Sequence, residues 1–154
     1  MKTNRASLLD VNVLIALLDP DHQFHDSAHS WFSRNRKRGW ATCPITENGC
    51  VRILSKPAYP SAGLSVAAVR EILAELCRAK DHLFWPNSTS VLDADLFDLT
   101  AVSPKNLTDV YLLSLAKARH GQLITFDASI RWQCIKRCSQ DHLVVLPSRS
   151  VTFS

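Results

Sequence analysis

Four acidic side chains stand in apolar surroundings where a charge needs a reason to be. Asp10 interrupts Leu8-Leu9-Asp10-Val11-Asn12-Val13-Leu14, and Glu47 lies in Pro44-Ile45-Thr46-Glu47-Asn48-Gly49-Cys50. Asp109 falls in Leu107-Thr108-Asp109-Val110-Tyr111-Leu112, and Asp127 closes Leu123-Ile124-Thr125-Phe126. Desolvating a charge without compensation is expensive. One such aspartate can be a plain helix cap whose oxygens accept backbone N–H groups. Four together point to a shared cage for a hard divalent cation, because Mg²⁺ takes oxygen ligands and keeps several waters. Without the ion the clustered carboxylates would repel, and at least one should have a raised pKa.

Other chemistry-bearing residues have plainer readings. His22, His25 and His29 are spaced like a ligand cluster, yet they open a polar helix without a convincing fourth ligand and read as surface histidines. The five cysteines are an odd number without C-x-x-C spacing, which disfavours a disulfide framework or zinc site and suits small core residues in a reducing compartment. Net charge is +4, concentrated in Arg34-Asn35-Arg36-Lys37-Arg38 and in Arg131, Lys136 and Arg137. Such runs attract a polyanion, or simply solvate a helix end. Arg52 and Arg131 could approach a phosphate or serve the surface. Trp85 suits the core, and Trp132, in a polar stretch, is left open between packing and base stacking.

The elements that must position the acids alternate between strand and helix. Residues 6–10, 40–43, 82–85, 123–126 and 143–146 read as short strands. Helices are expected over 11–18, 24–36, from a Thr46 cap through Leu54, from Ser65 through Arg78, over 90–99 with Ser90 and Asp93 in capping-box register, and over 108–120 with Gly121 as C-cap. Strands separated by helices require crossovers, hence an α/β fold: a three-layer α/β/α sandwich with a mostly parallel central sheet. In such sheets ligands collect at the carboxyl ends of the strands. Asp10 and Asp127 end strands, while Glu47 and Asp109 sit in first helical turns, where the macrodipole favours an anion. At 154 residues, 46% hydrophobic and 21% charged, the chain suits one globular domain over 1–154. The apolar run ending at Leu18 is broken by Asp10 and Asn12, so it reads as neither signal peptide nor membrane span, and a cytoplasmic location is expected.

The segments around Asp10, Glu47, Asp109 and Asp127, in this order and over nearly the whole length, resemble the acidic motifs of the PIN-domain ribonucleases, and within them the VapC toxins of bacterial toxin–antitoxin pairs. The resemblance implies a PIN-like sandwich that binds Mg²⁺ or Mn²⁺ and hydrolyses RNA phosphodiester bonds with metal-activated water. By position, Asp10, Glu47 and Asp109 match the central metal-binding acids and Asp127 the fourth. Asn12 stands where a hydrogen-bonding partner of the site is often found. It further implies a small separate antitoxin protein as partner, and a homodimer. Trp31 and Phe32 could line an antitoxin groove or pack in the core. Two other functions compete. A phosphatase using an aspartyl nucleophile wants a second Asp where Asn12 stands, and a catalytically inactive PIN-like module would bind RNA or protein without cutting.

Overall fold

The computed structural model describes residues 5–60 and 63–148. Five strands form one all-parallel sheet in the order β3-β2-β1-β4-β5, with β1 Ser7–Leu9, β2 Trp40–Thr42, β3 His82–Phe84, β4 Gln122–Thr125 and β5 Leu143–Val145. The helices are α1 Val11–Leu18, α2 His25–Asn35, α3 Pro44–Leu54, α4 Val66–Cys77 and α5 Leu107–Ala118. The order reverses at β1, whose carboxyl end carries Asp10; a switch point of this kind opens a crevice.

Strand alternation divides the core. Leu9, Trp40 and Ile124 pack beneath α1 to α4, whereas Leu8, Ala41 and Leu123 pack against α5 on the opposite face. The central strands are therefore covered on both sides and mostly apolar, whereas Leu83 and Phe84 of β3 and Val145 of β5 are exposed at the sheet edges. Trp31 and Phe32 are buried in the first of these cores, so packing accounts for them. Arg36, from the cationic run, is tied to Asp81 (Nε to Oδ2 2.8 Å) and lies over the Phe32 ring, a structural role for one member of that run.

Three expected boundaries differ. The helix expected over 90–99 is a series of turns: Ser90 Oγ accepts the Leu92 N–H and Asp93 Oδ1 accepts the Asp95 N–H. Short polar side chains that bond the local backbone in this way compete with a helix. Helix α3 starts at Pro44 with Cys43 as N-cap, and Thr46 is the third residue, its hydroxyl accepting the Cys43 N–H at 3.0 Å. Proline suits that first position, where its missing N–H has no partner to lose. At the end of α5 the left-handed residue is His120 (φ 55), not Gly121. Gly121 is needed for space instead, since a Cβ there would lie 2.6 Å from Ala6 O and 2.7 Å from Trp85 Cη2.

Candidate active site

Asp10 follows β1 directly and caps α1. Its Oδ1 accepts the Val11 N–H at 2.7 Å and its Oδ2 accepts the Thr125 hydroxyl at 2.8 Å. Thr125 ends β4, the neighbouring strand, and its Oγ1 also accepts the Asp127 N–H at 3.0 Å. One hydroxyl thus fixes two acids from distant parts of the chain. Asp127 in turn accepts Ser129 N–H and Oγ–H on Oδ1, at 2.8 and 2.6 Å. Asp109 enters from the first turn of α5, half-buried.

These three aspartates feel one another. Burial pushes Asp109 up to about 7, and the charges of Asp10 and then Asp127 add to the rise. Asp10 is also raised, chiefly by burial and last by Asp127, against the lowering pull of its two hydrogen bonds. Asp127 is lowered, mainly by the Ser129 side chain and backbone, with Lys105 adding attraction. Two carboxyls whose charged forms are penalised, beside a third whose charged form is favoured, are hard-oxygen donors whose mutual repulsion a divalent cation would relieve. The donor types suit such an ion, while among the described residues no group of three or more His, Cys, Asp or Glu side chains is arranged to hold one.

Glu47 is placed differently. Its Oε2 accepts the Thr42 hydroxyl at 2.6 Å, and Thr42 Oγ1 lies 2.8 Å from His82 Nε2. A carboxylate only accepts, so Thr42 gives its proton to Glu47 and His82 supplies an N–H to Thr42. The other group recorded in its field is the Cys77 thiol, pushed up to about 11 by burial first and Glu47 second. Helix register explains the separation. A Cβ at Gly49 would sit 2.9 Å from Val11 Cγ2, so the Gly49 side of α3 presses on α1 beside Asp10. Two residues along a helix is about 200° of rotation, which turns Glu47 toward α4 and β3. Asn12 is exposed in the first turn of α1 and makes no recorded hydrogen bond to a carboxylate among the described residues.

A family model described as "PIN domain" matches residues 7–132, from β1 past Asp127. The chain belongs to the PIN-domain family. Ribonuclease VapC44 of Mycobacterium tuberculosis is 45% identical over 141 residues, covering 91% of this chain and 99% of that protein. Ribonuclease VapC39 of the same species is 41% identical over 125 residues, covering 80% of this chain and 90% of the relative. Ribonuclease VapC38 is 38% identical over 124 residues, covering 80% and 86%. The PIN match takes in Asp10, Glu47, Asp109 and Asp127 alike, while the geometry gathers the three aspartates and bonds Glu47 to Thr42.

Two residues acting on the aspartates were not singled out from the sequence. Thr125 stood in the strand expected over 123–126, two residues before Asp127, with no role assigned to it, yet its hydroxyl joins Asp10 to Asp127. Lys105, just before α5, acts on Asp127 and places a cation beside the acids. Its one sequence signal was a lone positive charge shortly before the Asp109 motif. Among the described residues, no helix is long and apolar enough to cross a membrane.

Proposed function

We propose that this chain is a divalent-metal-dependent endoribonuclease, the toxin of a toxin–antitoxin pair, built as one PIN domain over 1–154. The observation that carries the reading is the Asp10–Asp109–Asp127 cluster at the switch point, with Asp109 held at about 7 by burial and by its acidic neighbours. It is supported by family membership and by relatives that bear the name ribonuclease.

Asp10, Asp109 and Asp127 would hold Mg²⁺ or Mn²⁺; Glu47 accepts the Thr42 hydroxyl on Oε2 and keeps Oε1 as a further oxygen donor. Bound there, the ion would lower the pKa of water to make a nucleophile and neutralise charge growing on the phosphate. The protein's own part is orientation. Thr125 holds the Asp10 carboxylate so that it need not reorganise, and Ser129 does the same for Asp127. Lys105 would attract the phosphate, and Asn12, exposed at the same end of the sheet, would hydrogen-bond substrate. A cytoplasmic location, a small antitoxin protein as partner and a homodimer belong to the same proposal.

Incubation of the purified protein with total RNA in Mg²⁺, in Mn²⁺ and in EDTA, beside Asp10→Asn, tests it. Metal-dependent fragments that vanish in the variant are expected. Intact RNA under every condition would replace this reading with that of a binding module.

A further inference from the structure

Past Asp127 the chain forms a cleft that the acid cluster does not use. Its volume is about 630 Å³, and its lining includes Ser129, Arg131, Trp132, Gln133, Gln140 and Val145. That size lies within the range of small-ligand pockets, about 300–1,000 Å³. Ser129 is both a wall of this cleft and the residue whose hydroxyl and N–H hold Asp127, so the cleft begins where the acids end.

Its chemistry suits a nucleotide. Among the described residues Arg131 is the only charged one in the lining, and Gln133 and Gln140 are exposed carboxamides, each with donor and acceptor side by side. Trp132 is half-buried and packed against the α5-side core, a large flat group fixed at one end. A cavity of about 500 Å³ elsewhere sets Asp93 and Asp95 among Lys117, Lys136 and Arg137, and one of about 370 Å³ sets Asp98 beside Arg131; among the described residues the lining of this cleft holds no acid to offset its arginine.

The platform is also held firmly. Phe97 and Ile135 form an antiparallel bridge, Asp98 N–H donates to Cys134 O at 2.8 Å, and Lys136 N–H donates to Leu96 O at 2.9 Å. The Cys134 thiol donates to Arg131 O at 2.8 Å. Bonds at Cys134, Ile135 and Lys136 therefore anchor the chain immediately after Trp132 and Gln133, and the Cys134 thiol ties it back to Arg131, as a reader of shape and edges requires.

We propose that this cleft seats one unpaired RNA base next to the bond being cut, so that it sets which sequence is cleaved. Trp132 stacks on the base, Gln133 and Gln140 bond its edge, and Arg131 meets the adjoining phosphate, the mode by which single-stranded RNA is read. The inference rests on the ribonuclease reading above and adds a specificity site to it.

Mapping of cut ends in total RNA, with KM and kcat on one short cleaved oligonucleotide, tests the proposal in Trp132→Ala, Trp132→Phe and Gln133→Ala. Loss of stacking in Trp132→Ala should raise KM roughly 5- to 100-fold, with partial rescue by Phe. Gln133→Ala, an exposed change that leaves the fold intact, should flatten the base preference at one position beside the cut. An unchanged cut-site profile in Gln133→Ala and an unchanged KM in a folded Trp132→Ala would overturn it. A separate arm measures fluorescence anisotropy of labelled rA, rC, rG and rU oligonucleotides on Asp10→Asn. A preference among the four that Gln133→Ala abolishes supports the base seat even if wild type cuts no RNA, whereas equal binding of all four rejects the seat while leaving cleavage standing.

Discussion

The same local bond occurs at two places in this molecule with opposite company. Thr125, ending β4, donates to Asp10 at 2.8 Å, and Thr42, ending β2, donates to Glu47 at 2.6 Å. Around Asp10 the next ionisable groups are Asp109 and Asp127, and Asp109 is pushed up to about 7, by burial first and then by the charges of Asp10 and Asp127. Around Glu47 the next group is the His82 imidazole, lowered chiefly by burial while Glu47 pulls it upward. The first region stores repulsion that an added cation or a proton on Asp109 relieves. The second is compensated from within, with donor and acceptor matched, and needs nothing from outside. A buried acid is thus a sign of chemistry only when its neighbours share its charge.

Charge removal without change of shape gives the sharpest test of that contrast. Asp10→Asn should reduce cleavage on the order of 1,000-fold, since a metal-binding acid supports several kcal/mol of transition-state stabilisation. Glu47→Gln keeps an acceptor for Thr42 and should cost less than about tenfold, the scale of one altered hydrogen bond. Single-turnover rates on one oligonucleotide compare the two directly. Equal losses would make Glu47 a fourth ligand after all and erase the distinction between the regions.

Thermal melting of the metal-free protein probes the stored repulsion next. A carboxyl whose folded pKa is above its unfolded value of about 3.9 favours the fold fully below that pH and loses this contribution as pH rises. Asp109, at about 7, therefore destabilises the metal-free fold progressively between about pH 4 and pH 7, and Asp10 acts in the same direction; Asp127, lowered, contributes stability that is already complete above about pH 4 and is lost only at lower pH. Mn²⁺ at a hundred times its dissociation constant should restore about 2.7 kcal/mol, or roughly 5–10 °C. The gain should grow from pH 5 to pH 7.5 and shrink in Asp109→Asn. A metal shift independent of pH would contradict the shared site.

The contrast between the two regions also marks how far the sequence could be read. All four acids were legible because each breaks an apolar run, and the parallel sheet followed from alternation of strands and helices. The grouping was not legible, because it depends on which face of α3 meets α1. That is set by the close approach of Gly49 to Val11, and a glycine in a helix carries no such label. Residues 90–99 failed for a different reason. Ser90 and Asp93 carry the residue types of a helix start, and nothing apolar and periodic behind them forces the helix over the turns they can make alone. Thr125 was hidden by its own good fit, since a threonine ending a buried strand needs no functional excuse.

Thr125 and Thr42 offer the finest comparison, because valine replaces either hydroxyl at nearly constant shape. Thr125→Val leaves the buried Asp10 Oδ2 without its donor and the Asp127 N–H without its acceptor. Loss of such an outer partner typically lowers metal affinity or activity about 10- to 100-fold, while Thr125→Ser, which keeps the hydroxyl, should recover most of it. Thr42→Val strands Glu47 and His82 instead, and should lower stability by about 1–3 kcal/mol with the Mn²⁺ requirement for cleavage unchanged. Titration of Mn²⁺ against cleavage rate separates the two. A rightward shift for Thr125→Val alone follows if its hydroxyl orients ligands, and the same shift in both variants would mean that the two threonine–carboxylate pairs serve one site.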